Sequence, residues 1–280
     1  MSTIKTTSLG PIGVEVHLDL SQSHTRAEQA RLQQLRGQHH MLLFRNQSLT
    51  LERQIEVMGY FGPVLTTPGD GVGYVSNVRL DGILGDGELS FHSDLDFSPR
   101  GAYHALSLHA VDVDDDATST EFASAALAYR RLPDALRERI TSLEALDVQL
   151  KDLAGRNRVA TIDPDTPRLV HPMVRRLPVT REPALWTSVS GTDSVIGLPA
   201  DESDALLEEI FDVLYDPAWL YSHRWRTGDI LVWDNQALQH RRDAIPPGVR
   251  RTLQRVTGAD PHSGFFEVFP QFAQSDYATR

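Results

Sequence analysis

The sequence predicts a mostly β protein with helices on its outside, a sandwich or barrel core forming a single domain over residues 1–280. Three observations lead there. Apolar extended runs outnumber what a doubly wound fold needs, and they do not alternate regularly with helical patterns. Residues 103–113, "YHALSLHAVDV", alternate strictly, with Leu106, Leu108 and Ala110 on one face and Ser107 and His109 on the other. No internal repeat or low-complexity linker divides the 280 residues.

The elements follow in order. Thr25-Arg26-Ala27-Glu28 has the form of a capping box, and "QARLQQLRGQ" after it places Leu32 and Leu35 on one helical face. "MLLFR" (41–45) is a short apolar strand. A second helix is expected from Thr50 to Tyr60, with Gly62 as its C-terminal cap. Strand texture starts at "VGYVSNV" from Val72 and continues through 103–113. The stretch "EFASAALAYRRLPDALRERI" (121–140) reads as helix broken at Pro133. Further strands are expected around 168–175, 184–189, 219–225, 230–234 and 250–257, with a helix, "DESDALLEEIFDVL", at 201–214.

Composition narrows the function. The formal net charge is −11, which disfavours nucleic acid and anionic membranes as partners, because both reward a basic face. A basic patch in such a chain is best explained as a pocket for a small anion. There is no cysteine, so disulfides, thiolate nucleophiles, zinc–thiolate sites and iron–sulfur clusters are excluded. No signal-peptide pattern opens the sequence and no apolar run reaches membrane-spanning length, so a cytoplasmic location is expected.

The chemistry-bearing residues begin at "SFHSDLDF" (90–97). On an extended strand His92 and Asp94 leave from the same side and Ser93 from the other. Imidazole and carboxylate together suit a divalent transition metal, yet His-x-Asp alone is common. Most of the eleven histidines have ordinary settings: His39 and His40 end a polar helix, His17, His24 and His262 lie in polar surroundings, and His104 and His109 sit on a strand. His240 differs, because "RTGDILVWDNQALQHRRD" (226–243) carries a turn, a buried strand and then an extended segment bearing it. Arg251, Leu253 and Arg255 share one face of a later strand. Two arginines beside a leucine are costly to bury unless anions meet them, and a guanidinium fork is the preferred partner of a carboxylate.

"FHSDLDF", "WDNQALQHRRD" and "RRTLQR" resemble the signatures of the taurine/2,4-dichlorophenoxyacetate (TauD/TfdA) dioxygenases, which use iron(II) and 2-oxoglutarate. "STEFASAALAYRRLPDALRERI", "LVHPMVRR" (169–176) and "GDILVWDN" fit the same family, in the right order from about residue 12 to 258. The resemblance implies a double-stranded β-helix (jelly-roll) core flanked by α-helices. It makes His92, Asp94 and His240 the iron ligands, gives Thr120 and Arg251 the far carboxylate of 2-oxoglutarate, and gives Arg255 an anionic group on the substrate. Where the family usually has Gly-Gly-Asp before the threonine, this chain reads Asp116-Ala117-Thr118-Ser119-Thr120, so Thr118 stands as the alternative to Thr120. The implied reaction consumes 2-oxoglutarate and O2, releases succinate and CO2, and oxidises a small, mostly apolar organic acid, with hydroxylation favoured. Asp94 argues against halogenation, since halogenating relatives have a small residue there.

The remaining expectations concern the surroundings. Segments 63–88 and 151–167 should form lids, Tyr74 and Asn77 are candidate pocket residues, and Trp233 is a candidate for the apolar shell around the metal. The aromatic stretch 264–272 is expected to cover a core edge or make a subunit contact, and a homo-oligomer is expected. The rival readings are a metal-dependent hydrolase and a catalytically silent small-molecule-binding barrel built on the same residues. A hydrolase would need neither O2 nor Arg251 in this place.

Overall fold

The computed structural model describes residues 4–66, 71–95, 97 and 103–259; the aromatic stretch 264–272 lies outside them. A nine-stranded sheet runs β1 (Thr6–Ser8), β2 (Val14–Val16), β3 (Met41–Phe44), β16 (Ile230–Trp233), β8 (Tyr103–Val113), β18 (Arg251–Ala259), β5 (Val72–Ser76) and β6 (Gly82–Leu84), with β4 (Val64–Leu65) also pairing β18. A four-stranded sheet runs β15 (Tyr221–Arg224), β9 (Ser119–Ser124), β17 (Leu238–Arg242) and β7 (Leu89–His92). Phe122 of the smaller sheet packs edge-on against Trp233 of the larger, ring centroids 5.4 Å apart, so the two sheets face one another as a jelly roll. Two smaller groups, β11 (Arg168–Pro172), β10 (Glu144–Val148) and β14 (Thr192–Val195), and β12 (Val174–Arg176) with β13 (Pro183–Leu185), complete the strands.

The period-2 pattern of the large sheet sorts its side chains between two cores. Met41, Leu43, Leu106, Leu108, Leu231, Trp233 and Leu253 point between the sheets. Their alternates Leu42, Phe44, Ala105, Ile230, Val232 and Val256 point outward into a second core. That outer core is closed by Leu32 and Leu35 of helix α1 (Arg26–His39) and by Val57 and Met58 of helix α2 (Leu51–Gly59). The polar alternates of β8 are therefore buried as well: Gln54 of α2 donates to Ser107 Oγ at 2.9 Å and accepts from Gln254 Nε2 at 2.8 Å. Burying such groups without partners would cost about 1–3 kcal/mol each.

The capping box forms as expected, Glu28 Oε2 accepting from Thr25 N at 2.9 Å and Thr25 Oγ1 from Glu28 N at 3.3 Å. The cap of α2 differs from expectation. It is Tyr60, with helical φ and ψ, while Gly62, at φ +136°, leaves room for His104, whose Nε2 would lie 2.7 Å from an added Cβ. The stretch 121–140 is not helical from its start. Residues 119–124 are β9, held on both sides by β15 and β17, and helix α3 (Ala125–Arg131) begins only where Ser124 Oγ accepts from Leu127 N at 3.2 Å. The alanine run has high helix propensity, but two flanking strands complete the backbone bonds of 119–124 as sheet. Pro133 then separates α3 from α4 (Asp134–Ile140), and α5 (Ala200–Leu214) packs against α3 and β14, its buried leucines joining the same apolar cluster. Among the described residues no helix is long and apolar enough to cross a membrane.

Candidate active site

The small sheet brings the first motif and the distant histidine together. Strands β7 and β17 are antiparallel neighbours, and their register sets His92 directly opposite His240. Asp94 follows two residues later, just past the end of β7. Its backbone is fixed by Asn235, whose Oδ1 accepts from Asp94 N at 3.0 Å and whose Nδ2 donates to Asp94 O at 2.9 Å. The chain turns away immediately afterwards through Leu95 at φ +60°, a left-handed conformation uncommon for such a side chain. Ser93 points the other way, its Oγ donating to Leu238 O at 3.4 Å.

The resulting donor set fits one divalent ion. Asp94 Oδ1 lies 3.4 Å from His92 Nε2 and 3.7 Å from His240 Nε2, and one ligand atom from each residue falls within 4.8 Å of the others. His92 Nδ1 is 2.7 Å from the Ser90 carbonyl. A carbonyl only accepts, so Nδ1 carries the proton and Nε2 presents its lone pair. Burial pushes His240 down to about 3, with the neighbouring His92, Arg251 and Arg255 adding to the effect against the pull of Asp94, so its imidazole is neutral. Burial pushes Asp94 up, but contact with the His92 and His240 rings and the Arg255 charge hold it well below the usual carboxylate range. Two neutral imidazoles and one carboxylate are the facial set of non-haem iron(II) sites. The apolar backing comes from Trp233 and Phe122, whose ring centroids lie 5.2 and 6.1 Å from that of His240.

Next to the triad a small inner cavity opens between the sheets, bordered by Leu106, Leu108, Trp233, Thr120, Arg251 and Arg255 among others. Arg251 is 2 % exposed. Its Nη2 donates to Thr120 Oγ1 at 3.1 Å, while Nε and Nη1 have no hydrogen-bond partner among the described residues. Burial and the like charge of Arg242 push its guanidinium down to about 9. Thr120 Oγ1 also accepts from Trp225 Nε1 at 2.9 Å. A hydroxyl has two acceptor sites; with both taken, its own proton is left to donate. Thr118 does not border the cavity; its carbonyl accepts from Trp225 N at 3.1 Å.

Arg255 lies on the same side of β18, Nη1 3.8 Å from Asp94 Oδ2. It borders both the inner cavity and a larger outer chamber of about 430 Å³, whose other walls include Leu84, Leu89, Leu95, Phe97, Leu150 and Leu153. Leu84 and Leu153 come from the two segments expected as lids. Tyr74 and Asn77 are not brought into either space. Tyr74 pairs with Gln254 on the outer face of β18 and its ring carries the Arg79 guanidinium at 3.8 Å. Asn77 instead fixes the start of β18, its Oδ1 accepting from Arg251 N at 2.9 Å and its Nδ2 donating to Val249 O at 2.7 Å. Both were placed by proximity in sequence to a strand whose inward residue is Val75. Asn235, Trp225 and Arg242 were missed. Only the first had a sequence signal, its place in "WDNQ" at the end of a buried strand.

The family model described as "Taurine catabolism dioxygenase TauD, TfdA family" matches residues 5–257. The chain is 28% identical to the alpha-ketoglutarate-dependent 2,4-dichlorophenoxyacetate dioxygenase of Cupriavidus pinatubonensis, over 89% of this chain and 94% of that one. It is 30% identical to the alpha-ketoglutarate-dependent sulfate ester dioxygenase of Pseudomonas putida, over 81% and 78% of the two chains. The crystal structure of a taurine dioxygenase from Burkholderia xenovorans superposes with a TM-score of 0.77 at 26% identity, covering 92% of each chain. The order of motifs, the jelly roll and the match over nearly the whole chain agree: the chain belongs to the TauD/TfdA family of 2-oxoglutarate-dependent dioxygenases.

Proposed function

We propose that this dioxygenase holds iron(II) through His92, Asp94 and His240, anchors the far carboxylate of 2-oxoglutarate on Arg251 and Thr120, and hydroxylates a small, mostly apolar organic acid that meets Arg255. When bound, iron(II), 2-oxoglutarate and O2 supply the oxidation, releasing succinate and CO2 as a substrate C–H bond gains oxygen. The protein supplies position and electrostatics. Asp94, kept ionised by its neighbours, offers an anionic ligand atom. His240 and His92 offer lone pairs. Trp233 and Phe122 keep water from the buried side.

The observation that carries this reading is Arg251. A guanidinium buried beside a metal-ligand set, with two donors unmet, calls for an anion, and a carboxylate answers it with two parallel bonds. A hydrolase using the same triad has no need of such an anchor, and a silent binding barrel has no need of a triad with its protonation states arranged for a metal. Arg255 supports an acidic substrate: it borders a chamber whose walls beyond the metal-ligand set are mostly apolar, five leucines with Ile83 and Phe97 among them. The named relatives act on a phenoxyacetate, a sulfate ester and taurine, all of which carry an anionic group.

The test is succinate release from 2-oxoglutarate with iron(II) and air, across a panel of carboxylic acids, sulfonic acids and sulfate monoesters. Acid-stimulated succinate supports the reading. Turnover of esters without O2 and without succinate would overturn it.

A further inference from the structure

Arg242 follows His240 by two residues on β17 and turns toward the same inner cavity. It is 4 % exposed. One nitrogen, Nη2, faces three backbone carbonyls of a single turn: Leu84 O at 2.7 Å, Gly85 O at 2.9 Å and Gly87 O at 2.8 Å. Those carbonyls converge because Leu84 and Gly85 are both left-handed, at φ +66° and +44°. For a leucine that conformation costs about 1–2 kcal/mol, so the turn needs to be held. The same turn places Leu84 at the border of both the inner cavity and the outer chamber. The other two nitrogens of Arg242, Nε and Nη1, are buried and have no hydrogen-bond partner among the described residues.

Two buried guanidiniums with unmet donors thus border one small cavity, Arg251 from the large sheet and Arg242 from the small one. They are close enough for Arg242 to disfavour the charge on Arg251. An anion between them would relieve that repulsion and satisfy donors on both. Resting on the reading of 2-oxoglutarate as cosubstrate, we propose that Arg242 is a second anchor for its far carboxylate. By gripping the 84–87 turn with Nη2, it also couples cosubstrate binding to the order of the roof over the substrate chamber. Arg242 acts on the reaction as a binding and positioning residue. With the far carboxylate in place, its guanidinium is fixed at both ends. Without it, only the turn side is held.

Amide hydrogen exchange of the intact protein tests this, loaded with Mn(II) under argon so that no turnover occurs. Exchange at 84–88 is followed with no keto acid, with 2-oxoglutarate, and with 2-oxobutanoate, which keeps the metal-chelating end and lacks the far carboxylate. The expected result is slowing of at least fivefold at 84–88 with 2-oxoglutarate and little with 2-oxobutanoate. Calorimetry on Arg242→Met should show 2-oxoglutarate bound at least tenfold more weakly, and the protection lost. Arg242→Lys, which keeps the charge but not the fork, should fall between. Wild-type protein that binds 2-oxoglutarate while 84–88 exchanges alike in all three states would overturn the proposal, whether or not the variants fold. Arg242→Met binding within twofold of wild type would overturn it too. Wild-type protein that fails to bind 2-oxoglutarate at all would instead remove the cosubstrate reading, and this proposal with it.

Discussion

Replacing Asn235 by alanine should damage the proposed metal site without touching a proposed ligand. Asn235 is 2 % exposed, and its amide closes two hydrogen bonds on the backbone of Asp94, at 3.0 and 2.9 Å. Each such bond contributes about 1 kcal/mol net, and each backbone group left buried and unmet costs about 1–3 kcal/mol. Because Asp94 is partly rather than fully buried, the lower part of that range applies, so a loss of about 2–3 kcal/mol is expected. For a domain of this size that is a fall in Tm of roughly 5–10 °C. The larger effect should be on the metal. Asp94 would no longer be held at the end of β7, and loss of an outer hydrogen-bonding partner typically lowers metal affinity about 10–100-fold. Asn235→Asp should be worse than alanine, since it keeps the acceptor, deletes the donor to Asp94 O and adds a second carboxylate beside the first. The assay is a Mn(II) titration of the metal-free protein alongside thermal melts. Equal metal affinity in wild type and Asn235→Ala, with the melting loss present, would refute the idea that Asn235 positions Asp94 for a metal.

Asp94→Ala and His240→Ala should each abolish iron(II)-dependent succinate release while circular dichroism stays native, and wild-type-like turnover in either would sink the triad. Arg251→Lys should raise the 2-oxoglutarate requirement by tenfold or more, because a point charge cannot reproduce a two-pronged contact; a steady-state titration reads it. Thr120→Val should raise it less, by the loss of one hydroxyl, and a larger effect from Thr118→Val would reverse the placement of these two residues. Arg255→Leu should weaken binding of the acidic substrate while leaving substrate-free 2-oxoglutarate decay in place, and equal affinity for an acid and its methyl ester would defeat the role. Stability should fall on acidification: burial holds His109 and His223 below their ordinary value, so each binds a proton more readily unfolded. Their contribution is present above about pH 6.5 and is lost as pH falls below it, by up to about 1.4 kcal/mol per unit for each. Urea melts from pH 8 to 5 that show no decline would contradict this.

Much of this was legible in the sequence because it is written in local patterns. Two-residue periodicity marked 103–113 as a strand, and Thr25 with Glu28 marked the start of α1. The proposed ligand residues were legible through motif order: nothing in "LQHRRD" by itself says that His240 lies opposite His92. That pairing is a fact of sheet register, joining residues far apart along the chain. The misreadings have the same origin. Residues 121–124 look helical until β15 and β17 flank them, and Gly62 looks like a cap until His104 arrives from β8 to occupy its missing side chain. Tyr74 and Asn77 looked like pocket residues because the face of β5 that points inward is decided by its pairing with β18. Arg242 was hidden by its neighbour. In a run of two arginines, nothing local says which one keeps its donors for the cavity: Arg241 borders it too but spends its Nε on Glu121 Oε2 at 2.6 Å.

The charge of the chain and the charge of its cavity have opposite signs, and that contrast ties the site together. A net charge of −11 leaves the surface rich in carboxylates, and the exposed arginines there pair with them, as Arg226 does with Asp116 and Arg250 with Asp114. The inner cavity is different. Besides Arg241, which pairs with Glu121, the arginines Arg242, Arg251 and Arg255 border it against the single carboxylate of Asp94, and a divalent metal ion at the triad would add further positive charge. Buried like charges are tolerated only when anions complete the arrangement. A doubly charged keto acid would offset about half of that excess, and a singly charged substrate at Arg255 part of what is left. On the proposed reading, an acidic substrate would be the last piece of one electrostatic arrangement. A neutral substrate of the same shape should bind more weakly even to a protein already loaded with metal and 2-oxoglutarate.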